Sequence, residues 1–119
     1  MPLRKLLQRI NTPVSELDRE QLRRFCADQA GVVAIAEARP REEISVVGEI
    51  STLRIVPRAG SPSLEAVLSD GTGTLVVAWT GRRHIAGVAP GKRLVVSGRG
   101  MAQGPKGRLL MVNPRYELL

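Results

Sequence analysis

Catalysis by a nucleophile needs a base within reach, and this chain offers little of either. It contains one cysteine, Cys26, and one histidine, His84. Neither stands in a spacing that assembles with Ser97 into a nucleophilic triad. A lone cysteine and a lone histidine do not supply the tetrahedral ligand set of a structural zinc site, and a lone cysteine excludes an internal disulfide. Paired carboxylates are the other common device. Asp70, in Asp70-Gly71-Thr72-Gly73, is the most conspicuous acid, but Glu49, Glu65 and Glu117 stand at spacings that predict no pairing with it. An aspartate opening a tight turn bonds the backbone two residues on, and that structural role is the expected one. Gly104-Pro105-Lys106-Gly107 lacks both the spacing and the hydroxyl of a phosphate-cradling Gly-x-x-x-x-Gly-Lys-Ser/Thr loop. These residues point to no enzyme, no metal and no cofactor.

The basic residues carry more information. Lys and Arg number 18 against 11 Asp and Glu, a formal charge of +7 with a pI near 11.0. Only Lys5, Lys92 and Lys106 are lysine. Residues 1–43 hold eight bases and seven acids, whereas residues 44–119 hold ten and four. The excess therefore belongs to the second part, and such an excess fits a polyanionic partner. Arginine grips phosphate bidentately, although G+C-rich coding also enriches it, so scattered surface charge stands beside a functional groove as a reading. Aromatic residues are few: Phe25, Trp79 and Tyr116.

What these residues do depends on the elements that position them. A length of 119 residues with 43% apolar and 24% charged side chains describes one ordinary soluble domain. No apolar run is long enough for a membrane span or shaped like a signal peptide, and a cytoplasmic location is expected. Leu3, Leu6, Leu7 and Ile10 form the stripe of a short amphipathic helix, which Asn11-Thr12-Pro13 stops. Ser15 and Asp18 then open a second helix in the manner of a capping box. Its stripe runs through Leu22, Phe25 and Cys26, and Gly31 ends it. Cys26 on that stripe reads as a buried small hydrophobe. Val32–Ala36 is a short strand or an apolar connector.

From residue 44 the period changes to two. Strands are expected from Ile44 to Ser51, over Leu64–Leu68, over Thr74–Thr80, from Lys92 to Met101, and from Arg108 to Asn113. Gly48 inside the first implies a bulge or bend. Pro57 to Pro62 is expected as a loop, Asp70 to Gly73 as a tight turn, and Arg82–Ala86 as one helical turn. The division is therefore a helical segment over 1–43 and a barrel over 44–119. Five strands, with a turn between the second and third and a helical insert before the fourth, make the layout of a five-stranded Greek-key OB-fold barrel. An SH3-like barrel is the alternative, and its usual strand order lacks that insert.

The run Leu64-Glu65-Ala66-Val67-Leu68-Ser69-Asp70-Gly71-Thr72-Gly73-Thr74-Leu75 resembles the signature turn of nucleic-acid-binding OB domains. Pro90 to Gly98 and Met111-Val112-Asn113-Pro114-Arg115-Tyr116-Glu117 follow in the same order. Together, over residues 42–118, they resemble the wedge domain of RecG-type branched-DNA helicases and the small stand-alone OB-fold proteins of actinobacteria. The chain is too short to hold a helicase motor. Such wedge domains carry base-stacking aromatics near the end of the third strand, where this chain has only Trp79.

In OB folds the ligand crosses strands two and three between the loop joining strands one and two and the loop joining four and five. Arg54 and Arg58 map to the first loop, Lys106 and Arg108 to the second, and Arg82, Arg83 and His84 follow strand three. Trp79 shares strand parity with Leu75 and Val77, so it either fills the core or offers a stacking platform. Tyr116 is expected to pack back on the barrel. The expected function is non-catalytic nucleic-acid binding through an arginine-lined groove of low sequence specificity. The resemblance implies DNA, single-stranded or branched, over RNA. The alternative is a protein adaptor or regulatory subunit, with the N-terminal helices as a docking or homodimerisation element.

Overall fold

The computed structural model describes residues 14–119. The amphipathic helix expected over Leu3–Ile10, and with it the docking role given to that stripe, lies outside the described residues.

Helix α1 spans Val14–Ala27. It lays Leu22 and Cys26 on Val47 of the first strand, with Phe25, Val32 and Val95 packed around them. The Arg93 guanidinium sits 4.4 Å from the centre of the Phe25 ring and donates from Nε to Glu49 at 3.2 Å. After Gly31 the chain is a connector with a 3-10 turn at Ile35–Glu37. Val33 N–H donates to the Ser45 carbonyl at 2.9 Å, so Val32–Ala36 tucks under the barrel without forming a strand. Ile35 enters the barrel core itself. Among the described residues no helix is long and apolar enough to cross a membrane.

Six strands follow: β1 Glu43–Arg58, β2 Ser61–Ser69, β3 Thr74–Thr80, β4 Arg93–Gln103, β5 Arg108–Val112 and β6 Arg115–Leu118. Their order is β1-β2-β3-β5-β4-β6, and an additional β1–β4 pairing closes the first five into a ring. All pairings are antiparallel except β3–β5. Ring closure depends on β1 serving two neighbours. Its first half pairs with β4 and its second half with β2, changing partner at Glu49. Gly48 makes that turn feasible, because a Cβ there would lie 2.9 Å from the Leu68 Cβ. The register shift falls between Ile50 and Thr52, two residues beyond the glycine.

Strand alternation divides the residues cleanly. Leu75, Val77 and Trp79 of β3 join Leu64, Ala66, Leu68, Leu94, Val96 and Met111 in the barrel core. Val76 and Ala78 face the other way and cluster with Leu110 and Val67.

Three elements differ from the sequence-based expectation. Residues 57–62 are a hairpin, not an open loop: β1 runs on to Arg58, and Ala59 (φ 50°) with Gly60 (φ 80°) form a two-residue turn with both residues left-handed, as a type I′ hairpin requires. Residues 82–86 contain no helix and cross to β4 through turns. A sixth strand, β6, extends β4 beyond the end of β5.

Candidate nucleic-acid interface

The register of the strands lays out the outward face of the barrel in rows. One row crosses β1, β2, β3 and β5 through Arg54, Glu65, Ala78 and Val112. The next runs through Thr52, Val67, Val76, Leu110 and Met101. The interior members Val76, Ala78 and Leu110 are buried, while Met101 and Val112 at the β4–β5 side are exposed. The face is therefore aliphatic in the middle, and its charge stands around it.

Arg54 and Arg58 do not lie in a loop, as expected from the sequence, but on β1 itself. They close on Glu65, which is 4% exposed. Arg54 donates from Nε and Nη2 to Oε1 at 3.3 and 3.1 Å. Arg58 donates from Nε and Nη2 to Oε2 at 3.1 and 2.7 Å. Burial by itself would raise the Glu65 carboxyl, but the hydrogen bonds and charges of Arg58 and Arg54 outweigh it and hold the group below the usual carboxylate range.

Arg82, Arg83 and His84 are exposed just past β3. Gly81 N–H donates to the Pro62 carbonyl at 2.8 Å, which sets this loop beside the β1–β2 turn. Lys106 and Arg108 lie at the opposite end of β3, where with Thr74, Gln103, Gly104 and Pro105 they line an open cavity of about 480 Å³. β3 is seven residues long, so the two groups stand roughly 20 Å apart. Among the described residues Arg82, Arg83, Lys106 and Arg108 make no ion pair, whereas Arg93, Arg99 and Arg115 are engaged by Glu49 or Glu43.

Trp79 is a core residue. It is 5% exposed, belongs to the barrel core, and meets the Tyr116 ring in a T-shaped contact at 5.6 Å between centroids. Its burial removes it as a stacking platform, because both ring faces would have to be reached through the barrel. Its indole N–H is buried without a partner among the described residues. Tyr116, 40% exposed, packs back on Trp79 from β6.

The motifs that carried the resemblance are joints. Asp70 Oδ1 accepts the Thr72 N–H at 2.8 Å, the Thr72 hydroxyl at 2.6 Å and the Gly73 N–H at 3.2 Å. Its Oδ2 accepts the Ile35 N–H at 2.8 Å, and Ala36 N–H donates to Thr72 Oγ1 at 3.1 Å. The turn thus ties the connector to the barrel. Asn113 passes the chain from β5 to β6: its Oδ1 accepts the Thr80 N–H and its Nδ2 donates to the Thr80 hydroxyl, both at 2.9 Å. Cys26 is buried on the inner face of α1, and burial, reinforced by Asp70, pushes its thiol up to about 11, leaving it protonated and unreactive at neutral pH.

Glu65 is the residue that sequence reasoning passed over. A hairpin centred on Ala59-Gly60 pairs Arg58 with Ser61 and, counting outward, Arg54 with Glu65. The signal was present but needed the turn type, which the unusual Ala-Gly pair conceals.

No protein-family model matches the chain, and no curated protein matches it. Solved structures do. The five-strand ring defines an OB-fold domain, and the solved structures similar to it include two that are informative. One is RecG bound to a three-way DNA junction, with a TM-score of 0.59 and 21% identity over 74% of this chain and 12% of that one. The other is the OB domain of Ta0387 from Thermoplasma acidophilum, with a TM-score of 0.55 and 17% identity over 74% of this chain and 86% of that one. The chain therefore carries an OB-fold that resembles part of RecG and corresponds to about an eighth of its length.

Proposed function

We propose that this chain is a non-catalytic nucleic-acid-binding module of the cytoplasm, holding the phosphates of single-stranded or branched DNA across the outward face of β2, β3 and β5. One observation carries the reading: cations that make no ion pair among the described residues stand at both ends of that face, Arg82 and Arg83 at one and Lys106 and Arg108 at the other, and Glu65, the acid on its strands, is covered by two arginines. The preference for DNA rests on the likeness to RecG, which was solved with a DNA junction. Attachment is electrostatic. Phosphate contacts carry no sequence information, so sequence preference is low, and with Trp79 inside the barrel no aromatic platform among the described residues adds stacking affinity.

The test is fluorescence anisotropy against single-stranded DNA, duplex, a three-way junction and single-stranded RNA at ~50 and ~200 mM salt. Engagement of about five phosphates gives a log–log salt slope of roughly −3.5 on single strands. Lys106→Glu with Arg108→Glu should weaken binding far more than Arg23→Glu with Arg24→Glu on α1. Equal losses would mean that charge acts diffusely, and absence of binding at the lower salt would overturn the reading.

A further inference from the structure

An acid within the proposed phosphate-binding face is an anomaly. A free glutamate there repels the ligand, and Gln or Thr would fill the strand position without charge. Glu65 is nevertheless 4% exposed on β2, and its partners both come from the adjacent strand β1. The two oxygens are divided evenly: Oε1 takes two N–H groups from Arg54 and Oε2 takes two from Arg58. The carboxylate thus has little acceptor capacity left to show a ligand, and the triad as a whole carries one net positive charge.

What the triad shows outward is guanidinium. Each arginine has five N–H donors in a fixed planar fork, of which the Nε–H and one Nη2–H are spent on Glu65 in each case. The remaining donors of both lie on the far edges of the forks. Side-chain exposure grades outward from Glu65 at 4% through Arg58 at 30% to Arg54 at 69%, so the acid forms the floor and the guanidinia the lips. Free arginines lose rotamer freedom on gripping a phosphate, and that loss subtracts from affinity. Arginines already held by a buried carboxylate have lost much of it beforehand.

We infer that Glu65 is a positioning residue that holds Arg54 and Arg58 as one preorganised two-guanidinium clamp for a phosphodiester group of the nucleic-acid backbone. The inference rests on the proposed nucleic-acid binding and adds a fixed phosphate site, distinct from the loose cations at the ends of β3. It has a consequence opposite in sign to simple electrostatics. Removing a negative charge from a face that binds an anion ordinarily tightens binding. Here Glu65→Gln, which preserves shape but lets the guanidinia go, weakens it.

The experiment measures anisotropy of a fluorescein-labelled oligothymidylate with the full chain and Glu65→Gln, each in the native and in the Arg54→Gln/Arg58→Gln background, with thermal melts confirming that every variant is folded. In the native background Glu65→Gln should weaken binding about tenfold, the effect of losing one well-placed charge-assisted contact. In the double-glutamine background the same change should leave binding equal or tighter, because no guanidinia remain to be positioned. Weakening in both backgrounds would show a merely structural role, and tightening in the native background would show ordinary charge repulsion; either overturns the clamp. Absence of binding by the unmodified chain would instead overturn the nucleic-acid reading itself. Should Glu65→Gln fail to fold, Glu65→Asp, which keeps the charge but shortens the reach, takes its place in the same two backgrounds: weakening in the native background with no change in the double-glutamine background is expected, and unchanged binding in the native background, or equal weakening in both, overturns the clamp.

Discussion

Trp79 illustrates how one residue type serves two opposite ends. Its strand parity with Leu75 and Val77 places it inside the barrel, against Tyr116. Truncating a buried aromatic removes its transfer free energy and leaves a cavity, so Trp79→Ala should destabilise the domain by about 3–5 kcal/mol, read by urea denaturation. The partnerless indole N–H modifies the expectation for a second variant. A buried unsatisfied donor carries a desolvation penalty, and phenylalanine has no such donor. Trp79→Phe should therefore cost less than half as much as Trp79→Ala. A stacking role would have produced the reverse pattern, an intact fold with weakened DNA binding.

At the scale of elements, the β1–β2 hairpin does the most to shape the candidate site. It carries Arg54, Arg58 and Glu65, and its register is set by the two-residue turn. Ala59 occupies the left-handed region there at φ 50°. A residue with a Cβ is held there against a penalty of roughly 1–2 kcal/mol, whereas asparagine tolerates the conformation and Asn-Gly is the favoured type I′ pair. Ala59→Asn should raise the unfolding free energy by about 1 kcal/mol without altering DNA affinity, a pair of results that denaturation and anisotropy check together. Lower stability would mean that the turn is not type I′ in solution. The other joints, Asp70 and Asn113, act between elements: the first fastens the connector to the β2–β3 turn, and the second locks β5 to the end of β3.

For the whole molecule the charge distribution links stability to pH. Glu65 titrates below its ordinary value in the folded barrel. A carboxylate with a folded-state pKa below the unfolded one contributes stability that is complete above the unfolded value of ~4.3 and is lost as pH falls through the folded value. The native domain should thus lose stability progressively on acidification from about pH 4.3 downward, and Glu65→Gln should show a shallower loss over the same range. Identical acid profiles for the two would place the acid sensitivity elsewhere. At neutral pH five of the ten basic side chains in residues 44–119, Arg82, Arg83, Lys92, Lys106 and Arg108, make no ion pair among the described residues, and the proposed polyanion contacts fall on these first.

The strand pattern, the two-part division of charge, the bend at Gly48 and the structural role of Asp70 were all legible in the amino-acid order. Each rests on local periodicity or on turn chemistry, which neighbouring residues determine among themselves. Trp79 was half legible: parity told which face it shares, but only closure of the ring told that this face is the inside. The Arg54–Glu65–Arg58 cluster was not legible, because its members meet through a hairpin register that Ala59-Gly60 disguises. Nor was β6, four residues whose pairing with β4 depends on the turn made by Asn113 after β5 has ended. Composition and order determined that the chain forms a small basic barrel. The tertiary structure alone decided which arginines are held and which are free, since ion pairing depends on distances across strands that no spacing along the chain defines.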